Sequence, residues 1–297
     1  MRVFTNPAPP VPEVHLLSNG RYHVVISSAG GGYSRWRDLA VTRWREDTVR
    51  DGWGLFLYLR DVATGEFWST AYQPTLRATK GYQAIFTQAR AEFRQRHAGF
   101  DIHTEISVSP EDDVELRRIT IVNRSPVARV FELTSYAEVV LATQAADLAH
   151  PAFSNLFVQT EFVPASSALL CTRRARSQEE TPPWLLHLMV CHDDEQGALS
   201  CETDRSRFIG RGGSLASPAA MQSPSPLSNT VGPVLDPIIS LRRIVTLPPH
   251  GTAIVELVLG VTESRAAALA HVDKYQRSEE RRVGKECLRL CRSRWSP

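Results

Sequence analysis

The chain is 297 residues long, 42% hydrophobic and 22% charged, a composition that excludes disorder, coiled coil and collagen. Its net charge is +2, and residues 278–297 alone contribute six cations against three anions, which leaves the remainder at −1. That balance carries no polyanion signature, so nucleic acid is not an expected partner.

Residues 6–12 hold four prolines in seven positions, and 1–12 therefore reads as a stiff, extended linker. From residue 13 onward a two-residue period dominates. Segments 22–28, 55–61, 84–90, 93–97 and 100–108 read as strands, separated by turn chemistry such as Ala63-Thr64-Gly65 and Pro110-Glu111-Asp112-Asp113. In 130–141, Phe131, Leu133, Ala137, Val139 and Leu141 fall on one face, with Glu132, Thr134, Tyr136 and Glu138 on the other. This is the pattern of a strand with one solvated face. With 114–122, across the turn Asn123-Arg124-Ser125-Pro126, it predicts a hairpin. Strands follow at 157–163, 168–172 and 185–191, and 239–247 with 253–261 around Pro248-Pro249-His250-Gly251 predicts a second hairpin. Residues 210–236 hold four Gly, four Pro and five Ser, a long loop of the functional or disordered kind. The one clear helix is 262–275: Thr262 is placed to cap it and Glu263 sits at its positive dipole end. The fold class is all-β, a large antiparallel β-sandwich over 13–261 with a C-terminal linker helix over 262–276.

The tail 277–297 breaks the body's composition. It reads as a translated adaptor or vector scar and is set aside from fold reasoning. A basic nucleic-acid arm, or a metal pair at Cys287 and Cys291, is the functional alternative, but no His or Cys partner accompanies the pair. The remaining cysteines, Cys171, Cys191 and Cys201, do not form a disulfide framework. No stretch reaches the ~20 apolar residues that span a bilayer, and the N-terminus has no apolar signal core, so the chain as written is expected in the cytoplasm.

Several constellations could carry chemistry. Ala29-Gly30-Gly31-Gly32 could cradle a phosphate through backbone N–H groups, yet it lacks a P-loop lysine and a following helix, and a tight turn between strands explains it. Tyr33, Arg35 and Trp36, with Arg43, Trp44 and Arg45, interleave aromatics and guanidinium groups, a mixture suited either to sugar stacking or to a structural lattice. Trp53, Trp68 and Tyr72 either extend that surface or belong to the core. Asp101, His103 and Glu105 share a strand face but are read as solvated, as are Cys191-His192-Asp193-Asp194, and no metal site is expected. Glu132 and Glu138 are read as surface carboxylates, ~20 Å apart at 3.3 Å per residue and too distant for a glycosidase pair. There is no Gly-x-Ser-x-Gly elbow, and the sequon Asn123-Arg124-Ser125 is a turn.

Taken together, Leu17-Ser18-Asn19-Gly20-Arg21-Tyr22, the run from Gly30 to Asp47, Ser135-Tyr136-Ala137-Glu138, His150-Pro151-Ala152-Phe153-Ser154-Asn155-Leu156-Phe157 and the run from Ser264 to Tyr275 resemble one family. It is the N-terminal β-supersandwich domain of glycoside hydrolase family 94, a galactose mutarotase-like fold, as found in cyclic β-1,2-glucan synthases. The resemblance implies an (α/α)6 barrel as partner, whose catalytic Asp protonates the glycosidic oxygen while inorganic phosphate, a co-substrate, attacks the anomeric carbon. No other cofactor is implied. The sandwich itself implies a support domain without catalytic residues, inactive alone, that contacts β-glucan oligosaccharide and a homodimer interface. The sugar-facing set it implies is Tyr33, Arg35, Trp36, His150, Phe153, Ser154 and Asn155. Relatives acting on cellobiose carry Phe-Gln-Arg where this sequence has Phe153-Ser154-Asn155, so that Arg contact is missing. The parent implied is a membrane synthase with this domain in the cytoplasm, or a soluble phosphorylase; because the barrel does not follow 276, the chain reads as truncated. The alternative is a stand-alone carbohydrate-binding or protein-interaction module.

Overall fold

A computed structural model describes residues 1–47, 49–192 and 198–276. The tail 277–297, with Cys287 and Cys291, and the acidic pair Asp193 and Asp194 lie outside the described residues.

Alternating β-branched and aromatic residues build two large sheets, and every pairing between their strands is antiparallel. The ten-stranded sheet runs, in spatial order, Arg2–Phe4, Lys80–Thr87, Arg90–His97, Phe100–Val108, Val114–Asn123, Thr252–Thr262, Trp184–Cys191, Ala168–Arg173, Val158–Val163 and Gly232–Pro233. In the nine-stranded sheet the order is Ser200–Asp204, Pro237–Leu247, Arg129–Thr143, Leu39–Thr42, Gly32–Trp36, Tyr22–Ser27 and Val14–Ser18. Phe56–Asp61 also pairs with Arg129–Thr143, and Phe67–Ser69 pairs with Phe56–Asp61. Arg2–Phe4, inside the segment read as linker, is thus an edge strand of the first sheet.

The core lies between the sheets. Ile102, Ile106, Ile119, Val255, Leu257 and Leu259 from one side meet Val24, Leu57, Phe131, Leu133, Leu241 and Val245 from the other. At ~25 cal/mol per Å² of apolar surface removed from water, this layer is the dominant favourable term in folding.

Both expected hairpins are instead crossings between the sheets. Val114–Asn123 belongs to the first sheet and Arg129–Thr143 to the second, and Pro237–Leu247 and Thr252–Thr262 are split the same way. One buried side chain fastens the two corners together. Asn123 Nδ2 donates to the carbonyls of Val127 at 2.8 Å and Pro248 at 3.0 Å, while its backbone N–H donates to Gly251 O at 2.9 Å. The turn chemistry was real, but a turn between sheets and a turn within one use the same residue types. With its amide consumed inside the corner, the Asn123 sequon has no accessible acceptor nitrogen.

Two further layers cover the outer faces. The segment read as a long loop lays Met221 and Leu227, with Phe208 and Ile209, onto Phe56, Tyr58, Tyr136 and Ile238. That cover packs on Tyr136, on the face of Arg129–Thr143 expected to be solvated, and on the same face Glu132 is 1% and Glu138 4% exposed. On the other sheet, the helix Arg265–Gln276 packs Ala268 and Val272 against Leu170, Leu186, Leu188 and Val258. Its docking is pinned by Asp112, which accepts from Tyr275 Oη at 2.6 Å and pairs with Lys274 at 2.9 Å and His271 at 3.3 Å.

Candidate functional site

The glycine-rich turn fixes the start of the candidate surface by sterics. A Cβ at Gly31 would lie 1.9 Å from Asp51 O, so only glycine there lets the strap at 51–54 lie across the turn, and one at Gly32 would lie 1.9 Å from Val25 O in the neighbouring strand. Its amides are already used: Gly30 donates to Ser27 O, Gly31 to Ser27 Oγ and Gly32 to Trp53 O. No N–H remains to cradle an anion.

Beyond the turn, Gly32–Trp36 alternates. Tyr33 and Arg35 point outward and are half-buried; Ser34 and Trp36 point inward. Trp36 is therefore a core residue, 6% exposed, with its Nε1 donating to Asp113 Oδ2 at 2.7 Å. Strand parity removes it from the expected sugar-facing set. Trp68 is likewise in the core and Tyr72 packs against it. Tyr33 instead meets half-buried Trp44, ring centroids 5.4 Å apart and tilted by 47°.

Arg43 joins this face to the helical excursion that follows Thr143. Its buried guanidinium pairs with Glu138 at 3.0 Å and Asp147 at 3.4 Å, and donates to Asn155 Oδ1 at 2.6 Å. Arg45 holds the other oxygen of Asp147 at 3.1 Å. Arg205 pairs with Glu138 at 2.7 Å and Asp236 at 3.3 Å, and Asn155 Nδ2 donates to Asp236 at 3.0 Å. Three arginines and three carboxylates thus neutralise one another. Burial acts to lower the Arg205 pKa, but Glu138, Tyr136 and Asp236 outweigh it and raise it. Burial and Glu138 together push the Tyr136 phenol far up, so it stays a neutral donor to Glu138.

This network positions the excursion built from Gln144–Ala149 and Pro151–Asn155. Thr143 caps the first helix by accepting from Ala146 N, and Pro151 opens the second, where its missing N–H costs nothing. Of the expected residues here, His150 and Phe153 are exposed, Phe153 by 59%, whereas Ser154 and Asn155 are buried supports. Asn155 anchors to Arg43, and Ser154 O accepts from Arg173 Nη2 at 3.1 Å. Both are turned into the fold, 4% and 6% exposed. Phe153 stands edge-on to Phe157 at 5.1 Å, and Arg173, Arg174 and Arg176 lie 5.7, 5.1 and 5.3 Å from the Phe157 ring. Each such cation–π contact is worth about 0.5–1 kcal/mol at exposed sites. The result is an exposed aromatic edge rimmed by guanidinium groups and held on a rigid base. Arg173, Arg174 and Arg176 escaped sequence reasoning because nothing in their order marks them as neighbours of Phe157; the strand pairing Val158 with Arg173 does.

Other candidate groups are committed elsewhere. Glu132 pairs with Arg60 at 3.1 Å. Ser135 and His187 meet across the core at 2.9 Å, but both are sealed, and His187 Nδ1 donates to Val258 O, which leaves Nε2 to accept from Ser135. Glu92, His103 and Glu105 place ligand atoms within 4.8 Å of one another, yet Arg90 spans Glu92 and Glu105 and Arg94 holds Glu92, so cations already fill that cluster. Asp101 turns away to Arg96 and Arg124. No helix among the described residues is long and apolar enough to cross a membrane.

Two large antiparallel sheets packed over one core, with a long segment on part of one outer face and a helix on part of the other, make a β-sandwich of the supersandwich kind. The chain belongs to the supersandwich-domain family of glycosyl hydrolase 94, whose model matches residues 1–278. It is 36% identical over 281 residues to the cyclic beta-(1,2)-glucan synthase NdvB of Rhizobium meliloti, covering 94% of this chain and 10% of that protein. To solabiose phosphorylase of Paenibacillus borealis it is 24% identical, over 90% of this chain and 34% of that enzyme. Among solved structures, a bacterial glucoamylase in complex with acarbose superposes with a TM-score of 0.53 at 8% identity, over 91% of this chain and 37% of that one, a likeness of fold. The chain thus spans a tenth to a third of the length of these two relatives.

Proposed function

We propose that the chain is a non-catalytic support domain that contacts β-glucan and acts beside an (α/α)6 barrel, which supplies the acid and uses phosphate as co-substrate. The observation that carries this reading is Phe153: a large apolar ring left exposed on an excursion anchored by buried Arg43, with Arg45 and Arg205 completing its ion pairs to Asp147 and Glu138. Exposed aromatic faces bind the C–H faces of sugars, and guanidinium groups such as Arg35 and Arg174 serve hydroxyls. The names of the relatives, a glucan synthase and a disaccharide phosphorylase, support a saccharide ligand.

The test is titration of the chain with a β-1,2-linked gluco-oligosaccharide. Saturable binding that weakens about tenfold in Phe153→Ala, and less in Tyr33→Ala or His150→Ala, is expected, with thermal stability unchanged in Phe153→Ala. Affinity indifferent to all three substitutions overturns the assignment. A protein-contact reading of the same face is favoured by Leu148 and Leu156, exposed by 49% and 45% beside Phe153. Self-association that Leu156→Asp abolishes, without sugar binding, would establish it instead.

A further inference from the structure

A groove of about 670 Å³ lies at the other end of the molecule, on the turn between Arg90–His97 and Phe100–Val108. Register fixes its distance from the aromatic surface. Phe100 lies opposite Asn123, at the corner end of the strands, whereas Thr172, Trp184 and Thr262 align at the end that leads to Phe157. The floor of the groove is the Ala98-Gly99 turn, and its charged lining is Lys80, Arg96, Asp101 and Arg124. His97 also lines it but is engaged by Glu66 at 2.8 Å.

The charges there do not balance. Lys80 lies directly opposite Arg96 in the sheet, and Arg96 opposite Asp101. Asp101 is shared between Arg96 at 3.0 Å and Arg124 at 2.7 Å, so with Lys80 the groove lining holds three cations and one carboxylate. Like charges directly opposite in a sheet are destabilising. Further along the same strands the fold avoids this, since Glu92 and Glu105 compensate Arg90 and Arg94 one for one. Both groove guanidinium groups also remain open to solvent, 72% and 61% exposed, with donors of each fork left over after Asp101 is served.

We infer that this groove binds an oxyanion, a phosphate or carboxylate group carried by a ligand the size of a mono- or disaccharide. Arginine forks pair bidentately with such groups, the volume falls in the range of small-molecule sites, and the incoming charge relieves the opposition of Lys80 and Arg96.

The experiment is an amide-resolved NMR titration of the chain at low ionic strength with inorganic phosphate, glucose 6-phosphate, glucuronate and a neutral glucose disaccharide. Saturable shifts at Ala98 and Gly99 with glucose 6-phosphate or glucuronate are expected, and the stronger of the two identifies the group. Inorganic phosphate alone binds more weakly and the neutral sugar leaves these amides unmoved. Arg96→Gln with Arg124→Gln weakens the binding at least about tenfold, as does high salt. Lys80→Gln keeps or raises the melting temperature, because it removes a repulsion. Phe153→Ala changes nothing here, which separates this site from the glucan surface. Absence of saturable binding by any anionic probe, binding indifferent to the double variant, or a Lys80→Gln variant that melts several degrees lower overturns the inference.

Discussion

Arg43 Nη2 donates to Asn155 Oδ1 at 2.6 Å, across 112 positions of sequence, and in doing so fastens the aromatic excursion to the nine-stranded sheet. The same guanidinium meets Glu138 and Asp147, each at most 5% exposed. Removing one partner of a buried ion pair strands the others, so Arg43→Met is expected to cost about 3–5 kcal/mol of unfolding free energy. Urea denaturation measures it. Arg43→Lys should recover part of the loss, since one ammonium cannot serve three acceptors in the geometry of a fork.

The corner residue Asn123 is expected to behave like a core residue despite its polarity. Asn123→Ala leaves the carbonyls of Val127 and Pro248 without their donor in a buried corner, at a cost of about 1–3 kcal/mol. Hydrogen exchange should show the change in both crossings at once, because one side chain serves both. Loss of protection at only one would disprove the shared fastening.

Gly31 is a steric requirement, and Gly31→Ala tests it. The added methyl would overlap Asp51 O, displacing the strap that carries Trp53. Overpacking of this kind costs about 1–3 kcal/mol. Gly212→Ala, where nothing lies within 4 Å but φ is +77°, is the control in which only backbone strain acts.

Acid and base sensitivity should come from two different histidines. Burial lowers the His187 pKa to about 4 against 6.5 when unfolded, opposed only in part by its bond to Val258 O. Its contribution is therefore complete above pH 6.5 and is lost as pH falls toward 4, by about 3 kcal/mol in global stability. His187→Gln should flatten that limb. His271 is the opposite case: its bond to Asp112 raises its pKa, with burial opposing, so its contribution is full below 6.5 and fades as pH rises through the raised value. Asp112 itself is held well below the usual carboxylate range, chiefly by His271, so it stays ionised throughout that window. Exchange protection of the helix Arg265–Gln276 should thus decline as pH rises beyond 6.5 through the raised value, and His271→Gln should remove the decline. A pH-independent helix in the native protein would contradict the geometry.

The strand order of types was legible where one face met the core. Phe100–Val108 ends where its alternation ends, and the inward set Phe131, Leu133, Ala137, Val139 and Leu141 lies in the core as its period requires. What periodicity cannot see is what covers the other face. Glu132 and Glu138 looked solvated because the arginines that pair with them, Arg60 for the first and Arg43 and Arg205 for the second, come from distant parts of the chain. A strand such as Gly32–Trp36, with no β-branched residue, does not announce itself, although parity alone, once applied, separates Tyr33 and Arg35 from Trp36. The site was legible as a motif and not as an arrangement: Arg43 and Arg45 stood in the quoted run, but their partners Asp147, Asn155 and Asp236 are assembled by topology.

Arg129–Thr143 is fifteen residues long and runs from the sheet-crossing corner to the first residue of the aromatic excursion. At about 3.3 Å per residue it is a strut of at most roughly 45 Å, paired with Pro237–Leu247 from Arg129 to Glu138 and with Leu39–Thr42 beyond, across a register shift between Val139 and Ala142. A short saccharide can occupy one end of the molecule or the other, never both. A long chain bearing an acidic substituent could bridge them, and its second contact would then form at the effective concentration set by the first. As a joint test of the two proposed sites, affinity for such a glucan is expected to rise only once its length exceeds that of the strut.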